Sequence, residues 1–327
     1  MNNDHYKMLS QAFPGKIRLN EPLGKYTTLK IGGPADLFFE AQSKQELIDV
    51  LVFARKSGVS VFLLGGGTNI LISDKGIRGL VVKNSVRRIV TRAVHGSVQK
   101  GQVSRRVFVE AESGAIFNSL VRYTVDEGLA GLEMHLGLPG TVGGAIYMNS
   151  KWTHPTAYVG DVVYQAEILT PAGEVTVVPQ KYFHFGYDTS YIQKTKDVVL
   201  SVTFNLVQDD KERLWNIANE SIRYRQSTQP QGVCTAGCTF KNVPLATVLS
   251  LGLPKEATSA GFLIDHVGLK AAASGEAYIS PMHANFIINK ANARAVDVIK
   301  LIERAREQVK KQFGVILEEE IVRVGET

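Results

Sequence analysis

The run Gly65-Gly66-Gly67-Thr68-Asn69-Ile70-Leu71 decides how the front of this chain is read, because of what leads into it. Ala35 to Ala41 reads as a strand, and Ser43 with Glu46 three residues on has the form of a capping box. Leu47, Val50, Leu51 and Ala54 then recur at helical spacing, and Gly58 supplies a stop. Val59 to Leu64 is an apolar, β-branched run that reads as a second strand. A strand–helix–strand unit therefore ends in three glycines. Without Cβ atoms, successive N–H groups can turn into one concavity that suits phosphate oxygens. A plain tight turn explains the triplet as well. The dinucleotide fingerprint G-x-G-x-x-G would need glycine at position 70, where Ile70 stands.

A second glycine-rich stretch runs from Gly131 to Asn149, behind a helix suggested by Ile116, Leu120, Val121 and Thr124 and closed by Gly128. Two such loops could grip the two phosphates of one dinucleotide; two independent turns are the other reading. From Val162 to Leu206 the pattern alternates as strands do, with Gly173 at the tip of the first hairpin. A helix is expected from about Lys211 to Gln226, and the polar run Ser227 to Thr235 reads as a domain boundary. Val298, Leu301, Ile302, Ala305, Val309 and Phe313 form a helical core stripe stopped by Gly314. The tail Leu317 to Arg323 reads as a solvated strand edge.

Composition narrows the class. The 327 residues are 44% hydrophobic and 21% charged, with 30 Gly and 2 Cys. That length predicts two or three domains, and the apolar share excludes wholesale disorder. Two cysteines exclude a disulfide scaffold and fit a reducing cytosol. No apolar run approaches the roughly 18 residues of a membrane span, and Met1 to Lys16 lacks a signal-peptide core, so a soluble cytoplasmic protein without membrane association is expected. The net charge of +6 does not by itself indicate nucleic acid, and no partner of that kind is expected.

Charge is nonetheless uneven. No acidic residue falls between Asp74 and Glu110, whereas Lys75, Arg78, Lys83, Arg87, Arg88, Arg92, Lys100, Arg105 and Arg106 do. Either this is a funnel for an anionic ligand or a set of solvated strand faces. The histidines are scattered and Cys234 and Cys238 stand alone as C-x-x-x-C, so no metal site is expected. Cys238 lies in a small-residue turn followed by Lys241 and Asn242, which can present a cation and an amide to an anion. A small buried hydrophobe is the plainer reading of that cysteine.

Taken in order, these motifs resemble the UDP-N-acetylenolpyruvoylglucosamine reductase family. The resemblance is carried by Thr27 to Asp36, Leu64 to Leu71 with Asp74 to Val82, Gly131 to Asn149, Gly237 to Asn242 with Ala260 to Lys270, and His283 to Asn289. It implies an α+β protein: a two-part FAD-binding fold of the vanillyl-alcohol-oxidase type plus a C-terminal α/β substrate domain. The divisions implied are 1–82, 83–223 and 224–316, with 317–327 packing back on the first. A long tyrosine-bearing loop is absent, as in the shorter type of the family. The implied activity is NADPH-dependent reduction of UDP-N-acetylglucosamine enolpyruvate to UDP-N-acetylmuramate through FAD, in peptidoglycan precursor synthesis, by a monomer.

Residue by residue, the resemblance places FAD at Gly65, Gly66, Gly67, Thr68, Asn69, Gly140, Thr141, Gly143, Gly144 and Ala145. Substrate falls to Tyr187, Arg225, Lys241 and Asn242. Cys238 occupies the position of the family's proton-donating serine, and Glu320 that of its late glutamate. A thiol, with an ordinary pKa of about 8.5, yields a proton more readily than an alcohol. Asp188 is the departure. It follows Phe185-Gly186-Tyr187 where the family pattern has an arginine facing the substrate carboxylate. An anion there opposes a developing enolate by about one to several kcal/mol. Arg223 or Arg225 could take the role, Asp188 could be protonated, or the site could be weakened or repurposed. Asn149 to Pro155 departs as well, reading Asn-Ser-Lys-Trp-Thr-His-Pro where the family has Asn-Ala-Gly-Ala-Tyr-Gly. Two alternatives follow: another FAD oxidoreductase of the same fold, or an impaired homologue that binds flavin or nucleotide-sugar.

Overall fold

The computed structural model describes residues 3–99 and 102–326; Lys100 of the basic run lies outside them. The chain separates into two compact units. One comprises residues 1–38, 67–81 and 226–327, the other 39–66 and 82–225.

The second unit is built on antiparallel strands in the order Val175–Pro179, Val163–Leu169, Val198–Gln208, Gln102–Glu112 and Ile89–Gln99, with Leu129–Ala130 added to the third. Gly173 turns the expected hairpin with φ +88°. The central strand Val198–Gln208 is buried at nearly every position to Leu206, as a strand covered on both faces must be. The helix Phe117–Asp126 lays Phe117, Leu120, Val121, Thr124 and Val125 on the core. Ile116, assigned to that face from its spacing, is the extended residue before the helix and is exposed. The helix Lys44–Lys56 begins as expected: Ser43 Oγ accepts from Glu46 N–H at 3.2 Å, and Leu47, Val50, Leu51 and Ala54 are buried. A cap of this kind is worth about 1 kcal/mol.

The other unit carries a four-stranded antiparallel sheet in the order Cys234–Cys238, Phe286–Asn289, Ala277–Ile279 and Ala273–Ser274. The helix Ala295–Phe313 closes its core with Val298, Leu301, Ile302, Ala305 and Val309, and Gly314 ends it at φ +71°. The tail is not a solvated edge. Leu317 and Ile321 are buried in the core, and Val322–Val324 pairs in parallel with Ile70–Ile72. The apolar residues of the tail were visible in sequence, but a three-residue strand offers too short a period to reveal a buried partner.

Candidate active site

Three clusters hold the residues singled out by sequence, and each lies within one unit. In the unit of 39–66 and 82–225, the two glycine loops meet. A Cβ on Gly65 would fall 2.9 Å from Thr141 Oγ1, and one on Gly66 only 2.7 Å from Gly140 Cα. Thr141 caps the helix Val142–Met148, its hydroxyl accepting from Gly144 N–H at 3.4 Å. Gly143 N–H donates to Ser113 O at 2.7 Å, and a Cβ there would press on Ser113. These loops are bare backbone at close approach, a cradle that side chains would fill, and that fits the phosphates of a dinucleotide. Lys83 was missed as a candidate. Its ammonium donates to Gly65 O at 2.7 Å, and burial, then the Arg87 charge, lowers its pKa. Only its place in the basic run hinted at it.

Gly67, Thr68 and Asn69 belong to the other unit, where Gly67 is a steric necessity. Its φ is +64°, and a Cβ would sit 2.1 Å from Tyr26 O. Asn69 does structural work there: its amide donates to Glu320 O at 3.1 Å, and its carbonyl accepts from Val322 N–H at 2.9 Å.

That contact leads to the second cluster. Thr239 O accepts from Glu320 N–H at 2.8 Å, Phe240 bridges Glu319, and Lys241 N–H donates to Glu318 O at 2.8 Å. The segment carrying Cys238 thus runs antiparallel beside the segment carrying Glu320. Asn285 locks it, accepting from Phe240 N–H at 2.9 Å and donating to Phe240 O at 2.8 Å. Cys238 is half-buried at a strand end, not sealed in the core, which removes the plain hydrophobe reading. Lys241 stands 3.8 Å from Glu318, and Asn242 is exposed.

The third cluster surrounds the departures from the family pattern. Asp188 is buried at φ +53°, and Lys151 Nζ lies 2.5 Å from its Oδ1. The same ammonium sits 3.6 Å from the centroid of the ring of Tyr187, a residue that is 42% exposed. The Arg225 guanidinium lies 4.9 Å from the centroid of the Trp152 ring, and Arg223 donates to Asn219 O. The cation paired with Asp188 is Lys151. Beside Arg225, His135 is fully buried; burial first and the Arg225 charge second lower its pKa to about 4.

The basic run is partly a set of paired strand residues: Arg78 bonds Asp36, and Arg92 bonds Glu110 at 3.0 Å. Among the described residues no group of three or more His, Cys, Asp or Glu side chains could hold a metal ion. No described helix is long and apolar enough to cross a membrane.

An antiparallel sheet with two glycine loops packed together fits a flavin-binding protein. Comparison agrees: residues 35–178 match the model of an FAD binding domain, and residues 229–324 match the C-terminal domain of UDP-N-acetylenolpyruvoylglucosamine reductase. Proteins of that name are 34% identical in Desulfosudis oleivorans, over the full length of both chains, and 37% identical in Moorella thermoacetica, over 95% of this chain and 94% of that one. The crystal structure of the Thermus caldophilus reductase superposes with a TM-score of 0.72 at 30% identity, covering 94% of this chain and 98% of that one. The chain belongs to the UDP-N-acetylenolpyruvoylglucosamine reductase family.

Proposed function

We propose that this chain is an FAD-dependent oxidoreductase that reduces UDP-N-acetylglucosamine enolpyruvate to UDP-N-acetylmuramate with NADPH, as a cytoplasmic monomer serving peptidoglycan synthesis. The observation that carries this reading is the family match over the whole chain; the glycine loops and the backbone ladder between the segments of Cys238 and Glu320 support it. Gly65, Gly66, Gly140, Thr141, Gly143, Gly144 and Ala145, with Gly67, Thr68 and Asn69, would hold FAD. Bound FAD supplies the hydride relay from NADPH to the β-carbon of the enolpyruvyl double bond.

The protein's own groups complete the addition. Negative charge gathers on the α-carbon and the carboxylate, and the Cys238 thiol gives its proton to that carbon, leaving a thiolate that water reprotonates. Lys241 and Asn242 would take the diphosphate, and Glu320 is fixed beside the donor by its backbone bond to Thr239. The three-part division at 82, 223 and 316 belongs to the same proposal; the parallel pairing of Val322–Val324 with Ile70–Ile72 supports a return of the tail to the first part.

The test is NADPH oxidation by purified, flavin-loaded protein with and without the enolpyruvyl nucleotide. Stimulation by the nucleotide is expected. A yellow protein that oxidises NADPH at the same rate in either case would sink the reading and favour an impaired homologue or another substrate.

A further inference from the structure

The two glycine loops are clamped by two neighbouring side chains, all within the unit of 39–66 and 82–225. Lys83 and Asn84 are the last two residues of the strand Ile77–Asn84, and adjacent side chains leave a strand on opposite faces. Lys83 Nζ donates to Gly65 O at 2.7 Å and to Asn84 O at 3.5 Å. Asn84 is buried and reaches toward the second loop. Its amide donates to Ser113 Oγ at 2.8 Å, and Ser113 O accepts from Gly143 N–H at 2.7 Å. The loops themselves meet where a Cβ on Gly66 would fall 2.7 Å from Gly140 Cα.

The bond from Lys83 sets an orientation as well as a distance. A trans peptide is planar, with its C=O and N–H on opposite edges. Holding Gly65 O therefore turns the Gly66 N–H to the side away from the ammonium. Among the described residues that N–H meets no backbone carbonyl. A peptide between two glycines has no Cβ on either side to resist a flip. The flipped form would present an oxygen where a bound anion needs a donor. Lys83 supplies the preference that the glycines lack.

The charge of Lys83 has no opposite close by. Both partners of its ammonium are neutral carbonyls, and among the described residues no carboxylate pairs with it. Burial, then the Arg87 charge, lowers its pKa, and Glu40 opposes them. A partly buried cation held by carbonyls alone costs stability unless an anion arrives. We infer that Lys83 is the positioning residue of the FAD diphosphate: it fixes the Gly65–Gly66 peptide with its N–H toward the phosphates, and its charge is answered across that peptide when FAD binds. This rests on FAD lying at the glycine loops, as proposed above.

The test separates a role in binding from a role in folding. Lys83→Met removes donor and charge at nearly constant volume. Stripped of flavin, this variant should be no less stable to urea than wild-type apoprotein, because a partly buried cation has gone. Titrated with FAD and followed by flavin fluorescence, it should bind about tenfold or more weakly. Lys83→Gln keeps an N–H for Gly65 O without the charge and should bind FAD about threefold more tightly than Lys83→Met. FAD affinity of Lys83→Met within about twofold of wild type would overturn the inference. So would a fall in apoprotein stability matching the loss of affinity, which makes Lys83 a structural residue alone. Lys83→Gln binding no tighter than Lys83→Met would show that the Gly65 carbonyl is not the route. If wild type itself binds no FAD, the placement of FAD fails and this inference with it. If wild type binds FAD and Lys83→Met binds it equally, only the inference fails.

Discussion

The Cys238–Glu320 ladder and the Lys151–Asp188 pair are two ways of holding a polar side chain in place. In the ladder, main-chain bonds do the holding: Glu320 N–H to Thr239 O, Lys241 N–H to Glu318 O, and Asn285 clasping Phe240 at both ends. In the pair, everything depends on side chains, with Trp152 on Arg225 and Tyr224 setting where Lys151 points. Main-chain scaffolds tolerate a changed side chain. A side-chain scaffold tolerates change only in concert. The contrast teaches where substitutions in this protein stay local and where they come in pairs.

Cys238→Ala probes the ladder and should have the largest effect. The substrate half-reaction, followed by stopped-flow absorbance, should slow by about a thousandfold, while reduction by NADPH stays within about twofold. Equal slowing of both halves would show that the cysteine is not the donor. Asp188→Arg restores the family residue yet places a second cation against Lys151. Turnover should fall by about a hundredfold, and Lys151→Gly added to it should recover most of the loss, because the like-charge clash is then gone. A single variant faster than wild type would break the idea of a coupled pair.

Acid should loosen the side-chain scaffold through His135. Its folded pKa is about 4, below the ordinary 6.5, so the unfolded chain binds the proton first. Its contribution is complete above about pH 6.5 and is lost as pH falls toward 4. Urea unfolding should show about 2 kcal/mol less stability at pH 5 than at pH 7, and His135→Phe should remove most of that difference. An unchanged pH dependence in that variant would assign the acid sensitivity elsewhere. The smallest effect belongs to Glu319, which bonds Arg306 and Arg323 beside the ladder. Glu319→Gln should cost about 1 kcal/mol or less, shrink further in salt, and leave turnover within about twofold. A large loss of turnover would mean that this ion network, and not the backbone, holds Glu320.

Much of this was legible in the sequence. The helix Lys44–Lys56 announces itself through Ser43, Glu46 and a four-residue apolar stripe; the last helix does so through its stripe and Gly314. The glycine loops were legible because their backbone character lies within a few consecutive residues. Ile116 was misplaced because a helical period marks a face, not the residue at which the helix begins. The tail was misread because its burial comes from partners about 250 residues away along the chain, such as Asn69 with Glu320.

Sequence by itself determined the class of elements, the glycine loops and the family, and it singled out position 188 and the stretch after Asn149. Tertiary structure alone decided that these two oddities are one feature. The physical reason is that periodicity and motif spacing report on interactions within a few residues, whereas the charge of a buried carboxylate is answered by whichever cation the fold delivers. Here the fold delivers Lys151, 37 residues away in the chain, through the anchoring of Trp152 on its neighbour's opposite side.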